Sequence, residues 1–213
     1  MKTLHTIAIL LACCTTLCGQ NLFDLYTMLP DGAAMGDKTV RAQMIKDHKA
    51  GVSDLNKVPY RFETVDEKNG FLSITGAFEG SWEMCYWNLG GDKLIAVYEQ
   101  SCGPVCGVEK FNFYLLKGEK LTPQNTEVII PGYKTIYNDF LLRNAEQTKK
   151  ELEASDITAT LLFKIPRQGK NILALFGNED SDETYAKYSK GNRMVLKWAN
   201  GKFVKDKIYW EKQ

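Results

Sequence analysis

Between Trp82 and Leu121 short apolar runs alternate with turn residues, and this stretch predicts three β-strands, two tight turns and a corner pinned by two cysteines. Gly90-Gly91 separates the runs 82–89 and 93–100, and paired glycines take the positive φ angles that a hairpin turn needs. A turn centred there sets the register, with Cys85 opposite Ala96. Leu94-Ile95-Ala96-Val97-Tyr98 is apolar at both parities, the pattern of a central strand covered on both faces. Phe111, Phe113 and Leu115 alternate with Asn112, Tyr114 and Leu116 in a third strand, which turns back at Lys117-Gly118-Glu119-Lys120.

The flanking pattern predicts helices first. Leu22, Phe23, Leu25, Tyr26 and Leu29 make a short helical stripe ended by Pro30, and Asp37 caps a second helix running to Lys49. The runs 60–65 and 71–75 flank Lys68-Asn69-Gly70 and read as a hairpin. Tyr137, Leu141, Ala145, Thr148 and Leu152 recur at helical spacing and predict one long helix over Tyr133 to Ala154. Strand runs then return at 160–165, 171–176 and 194–198, and Asn200-Gly201 pairs Trp198 with Phe203. The order echoes the central unit, Ile172 to Phe176 standing where Leu94 to Tyr98 stood, although any two meanders share strand–turn–strand order. The expectation is an α+β fold: a mostly antiparallel sheet of two three-stranded meanders, 82–121 and 160–204, with two or three packed helices.

Composition adds a compartment. Lys2, the apolar run Ile7 to Ala12 and the small residues up to Gly19 have the layout of a secretory signal, so residues 1–19 read as signal peptide and 20–213 as one domain. The alternative is a lipoprotein, because Leu10-Leu11-Ala12-Cys13 loosely matches a lipobox and would place a lipid anchor on Cys13. Either way the protein is exported, to the periplasm, outer envelope or extracellular space. Losing Lys2 leaves 26 basic and 26 acidic residues, a balance that argues against a nucleic-acid partner. No stretch after the signal is long and apolar enough to span a membrane as a helix.

The opening LFDLYTMLP, the run KLIAVYEQSCGPVCG and the strand FNFYLL resemble uncharacterised secreted proteins of Bacteroidetes-type bacteria, a domain-of-unknown-function family. The resemblance implies an envelope location and no activity.

Candidate chemistry is sparse. With His5 removed, His48 is the remaining histidine, and it falls on an amphipathic helical stripe. Gly-x-Ser-x-Gly, His-Glu-x-x-His and phosphate-cradling glycine loops are absent, and neither a metal nor a cofactor is implied. Asn178 to Glu183 clusters oxygens of the kind calcium prefers, but lacks the glycine and terminal glutamate of an EF-hand loop. Glu79, Glu83 and Glu99 lie on strands beside aromatic residues, as glycosidase carboxylates and ordinary wet strand faces both do. Trp82, Tyr86, Trp87, Tyr98 and Trp198 form either a stacking platform for sugars or peptides, or core. Cys102 and Cys106 are expected to join in a structural disulfide, leaving Cys85 a buried thiol. The function this supports is a non-catalytic envelope module binding an unknown protein or saccharide. The alternatives are a carboxylate hydrolase, which requires a cleft of convergent acids with raised pKa values, and a thiol–disulfide protein.

Overall fold

A computed structural model describes residues 20–52, 59–76, 79–103, 105–177 and 182–211. Six strands, β1 (Tyr60–Asp66), β2 (Phe71–Gly76), β3 (Gly80–Leu89), β4 (Asp92–Cys102), β5 (Cys106–Lys117) and β6 (Lys120–Gln124), follow one another as an antiparallel meander. Four more, β7 (Leu161–Lys164), β8 (Ile172–Phe176), β9 (Arg193–Ala199) and β10 (Lys202–Tyr209), form a second antiparallel sheet. The fold is therefore mostly β, and the expected α+β pair of three-stranded meanders is corrected to sheets of six and four strands. The central unit does not stop at its own edges. Phe71 pairs with Cys85, which adds the first hairpin to β3, and Leu116 pairs with Leu121, which adds β6 to β5.

The turn chemistry sets the registers. Cys85 lies opposite Ala96 across the Gly90-Gly91 turn, and Trp198 opposite Phe203 across Asn200-Gly201. Asn200 and Gly201 have φ of 47° and 92°, the doubly positive geometry of a type I′ turn.

The helices mostly flank the sheets as short pieces. α1 (Leu22–Met28) starts with a reciprocal capping box between Asn21 and Asp24, and Asp37 caps α2 (Lys38–Lys49). One-turn α3 (Thr126–Ile129) follows β6. The long helix expected over Tyr133 to Ala154 is broken: α4 (Ile136–Phe140) ends at Leu141, and α5 (Ala145–Ala154) starts on a new cap, the Asn144 side chain. Leu141 takes an extended conformation and bridges to Ser189, with the Leu142 N–H donating to the Tyr188 carbonyl. The stripe still points inward, since Leu141, Thr148 and Leu152 are buried, but the extended Leu141 and a separate helix α5 deliver it.

Three layers result. α1, α2 and the loop after α1 cover one face of the six-stranded sheet, around Trp82, Met84, Ile95 and Val97. The four-stranded sheet covers the other face, where Cys85, Trp87, Ala96, Tyr98 and Phe113 meet Phe163, Ala174, Leu196 and Phe203. All five residues from Leu94 to Tyr98 are buried, as a strand sandwiched on both faces must be. Arg41, fully buried, holds the loop after α1 by donating to the Leu29 carbonyl at 2.9 Å while it pairs with Asp31 at 2.7 Å.

Candidate functional site

One end of the sandwich gathers the β1–β2 turn, the end of β3, the β7–β8 loop and the β9–β10 turn. There Lys68, Asn69, Tyr86, Trp87, Asn88, Gly169, Lys170 and Trp198 line a pocket of about 230 Å³. Trp87 and Trp198, one from each sheet, stack with ring centroids 5.4 Å apart and planes 17° from parallel. Phe203 meets Trp87 edge-on at 5.1 Å and fixes the pair from below. The Trp87 indole N–H donates to the Lys170 carbonyl at 2.9 Å, so the β7–β8 loop is tied to the six-stranded sheet at the pocket wall. A second tie joins Arg167 to Asp66 at 2.9 Å, and hydrogen bonds with Arg167 and Asn69 hold the Asp66 carboxyl below its usual pKa.

The two carboxamides at the pocket are oriented by their neighbours. Asn69 donates through Nδ2 to both Asp66 oxygens, which leaves its Oδ1 as an acceptor. Asn88 accepts from the Lys93 ammonium at 3.0 Å, which leaves its amide N–H groups as donors. That ammonium also sits 4.7 Å from the Tyr86 ring centre. Gly70, at φ of 68°, lets the Tyr86 ring close over the first turn: a Cβ there would fall 2.5 Å from the ring. The pocket thus combines aromatic faces, two oriented carboxamides and, among its lining residues, Lys68 and Lys170.

The five aromatics singled out in the sequence divide between the two faces of the six-stranded sheet. Trp87, Trp198 and Tyr98 belong to the inter-sheet core and Trp82 and Tyr86 to the helix-covered side. Tyr86, Trp87 and Trp198 meet at the pocket. Trp82 is fully buried, its indole N–H donating to the Ala33 carbonyl at 2.9 Å. Tyr98 is buried too, its hydroxyl accepting from the Phe163 N–H at 3.1 Å and burial pushing its pKa up to about 12. Lys68, Asn69, Asn88, Gly169 and Lys170 carry no sequence signal beyond turn propensity. The Trp87–Lys170 tie spans 83 residues of chain, which no local pattern reports.

The strand carboxylates do not converge. Glu83 lies opposite Tyr98 and faces the second sheet, whereas Glu99 lies opposite Trp82 and pairs with Lys110 at 2.8 Å. Glu79 precedes β3, where its carbonyl accepts from the Cys102 N–H. Burial raises the Glu83 carboxyl to about 7, with Lys164 opposing the shift and Glu63 adding to it. His48 contacts the Phe23 and Phe62 rings on the helix-covered side, with centroids 5.7 and 5.5 Å away. Among the described residues no group of three or more His, Cys, Asp or Glu could hold a metal ion. Residues 178–181 of the acidic loop lie outside the described residues, as do the signal segment 1–19 and Cys13.

At the opposite end of β4, Cys102 and Cys106 form a disulfide, facing each other as the last pair of the β4–β5 ladder. Cys85 is free and buried, and burial raises its thiol pKa well above the ordinary value. Cys102 ends one strand and Cys106 opens the next, so no helix N-terminus lies there to stabilise a thiolate. Replacing both cysteines with serine is expected to lower unfolding stability by about 2 kcal/mol, the loop-closure value for so short a ring. Urea unfolding of the oxidised protein and the double variant measures the difference. In an insulin-reduction assay the wild-type protein is expected to show no turnover.

These features define a two-sheet β protein with an aromatic, polar pocket among its turns. No family model matches the chain, and no curated protein matches it. Among solved structures it is similar to a domain of an uncharacterized protein from Porphyromonas gingivalis W83, with a TM-score of 0.59 and 15% identity over 87% of this chain and 97% of that one. The likeness extends over nearly all of that domain and shows the fold. Its source, an uncharacterised protein of a Bacteroidetes bacterium, agrees at that level with the resemblance read from the sequence.

Proposed function

We propose that this is an exported, non-catalytic binding protein that takes one unit of a saccharide against the Trp87–Trp198 pair. The observation that carries the reading is a stacked indole pair in the wall of a polar pocket, with one carboxamide presenting a donor and another an acceptor. Sugar rings have apolar C–H faces that pack on aromatic rings and hydroxyls that need both donors and acceptors. A pocket of about 230 Å³ is smaller than the ~300–1,000 Å³ of sites for drug-sized ligands, which fits a single ring better than a buried oligomer. Loops at one end of a rigid sandwich are also where binding residues concentrate. Export is supported by the signal-like N-terminus and by a disulfide, which persists in oxidising compartments.

The test is saccharide binding followed by tryptophan fluorescence, since both indoles of the pair would report it. Trp198 is half-buried, so Trp198→Ala is expected to fold, as judged by circular dichroism, and to lose at least about tenfold in affinity, the order of one lost stacking contact. Unchanged affinity in that variant, or no binding across a broad glycan panel, overturns the reading.

A further inference from the structure

We propose that the saccharide this pocket takes is acidic, a pyranose carrying a carboxylate or sulfate group that lies between Lys68 and Lys170. The inference rests on the saccharide reading above and names the ligand class for the same site. Its ground is the distribution of charge. The whole chain carries 27 basic and 26 acidic residues, yet the pocket lining holds two lysines and no acidic residue. Two other cations near this end are engaged: Arg167 is paired with Asp66, and the Lys93 ammonium rests on Asn88 and the Tyr86 ring. Lys68 and Lys170 have no acidic partner among the described residues. One comes from the β1–β2 turn and the other from the β7–β8 loop, so the two lysines join the pocket lining from different sheets.

The backbone that carries these lysines is held by the fold. The Lys170 carbonyl receives the Trp87 indole N–H, which fixes the Lys170 backbone against the aromatic wall. Asn69, next to Lys68, is held by three hydrogen bonds to the Asp66 carboxylate, from its backbone N–H and from Nδ2 to each oxygen. An anionic group on a ring stacked against Trp198 would replace part of its water shell with two ammonium donors. Such hydrogen bonds are roughly twice as strong as neutral ones. A neutral sugar would gain only hydroxyl hydrogen bonds from the lysines, without the ion-pair attraction. The Asn88 amide adds a neutral donor on the same side of the requirement, because Lys93 occupies its oxygen.

The test uses a panel of immobilised oligosaccharides that pairs neutral glycans with their uronate and sulfated counterparts, probed with the whole mature protein at low and high sodium chloride. An acidic member is expected to bind at least about tenfold tighter than its neutral counterpart at low salt, the increment of one charge-assisted contact. That advantage should shrink at high salt, because both lysines are exposed and screened. The double variant Lys68→Gln, Lys170→Gln leaves the backbone ties intact and is expected to bind each acidic member no more tightly than its neutral counterpart. The stronger arm, uronate or sulfate, identifies the group. Equal binding of neutral and acidic members overturns the acidic inference and leaves the saccharide reading standing. A preference that survives in the double variant overturns it as well, and binding of no member overturns both.

Discussion

Trp82→Ala is expected to be among the most damaging single substitutions, costing about 3–5 kcal/mol, the range for deleting a buried indole. The ring is fully buried on the helix-covered face of β3, edge-on to Tyr26 with centroids 5.4 Å apart. Truncation opens a cavity between sheet and helices where little can collapse into it, because Tyr26 is itself anchored by its hydroxyl, which donates to the Met35 carbonyl at 2.7 Å. It also strips the Ala33 carbonyl of its donor, a buried loss of about 1–3 kcal/mol that falls within the same total. Domains of this size are stable by only about 5–15 kcal/mol, so the variant would sit near the edge of folding. Trp82→Phe separates the two contributions, since it keeps most of the ring and loses the hydrogen bond. Urea midpoints should fall in the order wild type, Phe, Ala with little change in slope. A loss below about 1 kcal/mol for the alanine variant would mean that the helical layer is not packed closely on this sheet.

Registers are legible in the sequence wherever a turn of defined chemistry joins two runs. Gly90-Gly91 and Asn200-Gly201 each fix a pairing within a dozen residues, and the Asn21 and Asp37 caps fix the helix starts by bonds three residues long. The doubly apolar run from Leu94 to Tyr98 marks a strand covered on both faces for the same local reason. What fails needs distant partners. The stripe through Tyr137, Leu141 and Leu152 has the spacing of one continuous helix, but Leu141 finds Ser189, 48 positions later, and the helix stops for that strand-like bridge. Nothing near Asp66 or Phe71 states that their hairpin will join β3 and not stand alone, so the local pattern predicts three strands where a six-stranded sheet forms. The pocket follows the same division. Tyr86, Trp87 and Trp198 are visible as aromatic residues on strands. Lys68 and Lys170 come to line one pocket only when packing of the two sheets brings together turns about a hundred residues apart, as the Asp66–Arg167 pair records with its separation of 101.

Glu83 should make the protein lose stability as the pH rises through neutrality. Its carboxyl stands on the inter-sheet face of β3, between Ser73 on β2 and Tyr98 on β4, with Cys85 two residues further along the same strand. Burial moves its pKa from an ordinary 4.5 to about 7. The charged groups facing it from neighbouring strands are Lys164 on β7, which favours the carboxylate, and Glu63 on β1, which opposes it. The folded protein thus holds a proton that the unfolded chain releases at lower pH. Stability from this group is complete below about pH 4.5 and is lost as the pH climbs through about 7, by roughly 1.4 kcal/mol for each pH step between those two values and about 3 kcal/mol in all. Glu83→Gln keeps the shape and cannot ionise. The variant should match the wild type near pH 4.5 and exceed it by up to about 3 kcal/mol at pH 8, with the gap opening from about pH 5 and levelling off above about pH 7. Urea unfolding at half-unit pH steps reads that gap directly, and because every other titrating group is common to both proteins, their contributions cancel in the difference. A gap that stays constant from pH 4.5 to 8 would show that Glu83 ionises freely in the folded state, and that the space between the sheets near Ser73 and Tyr98 is open to water.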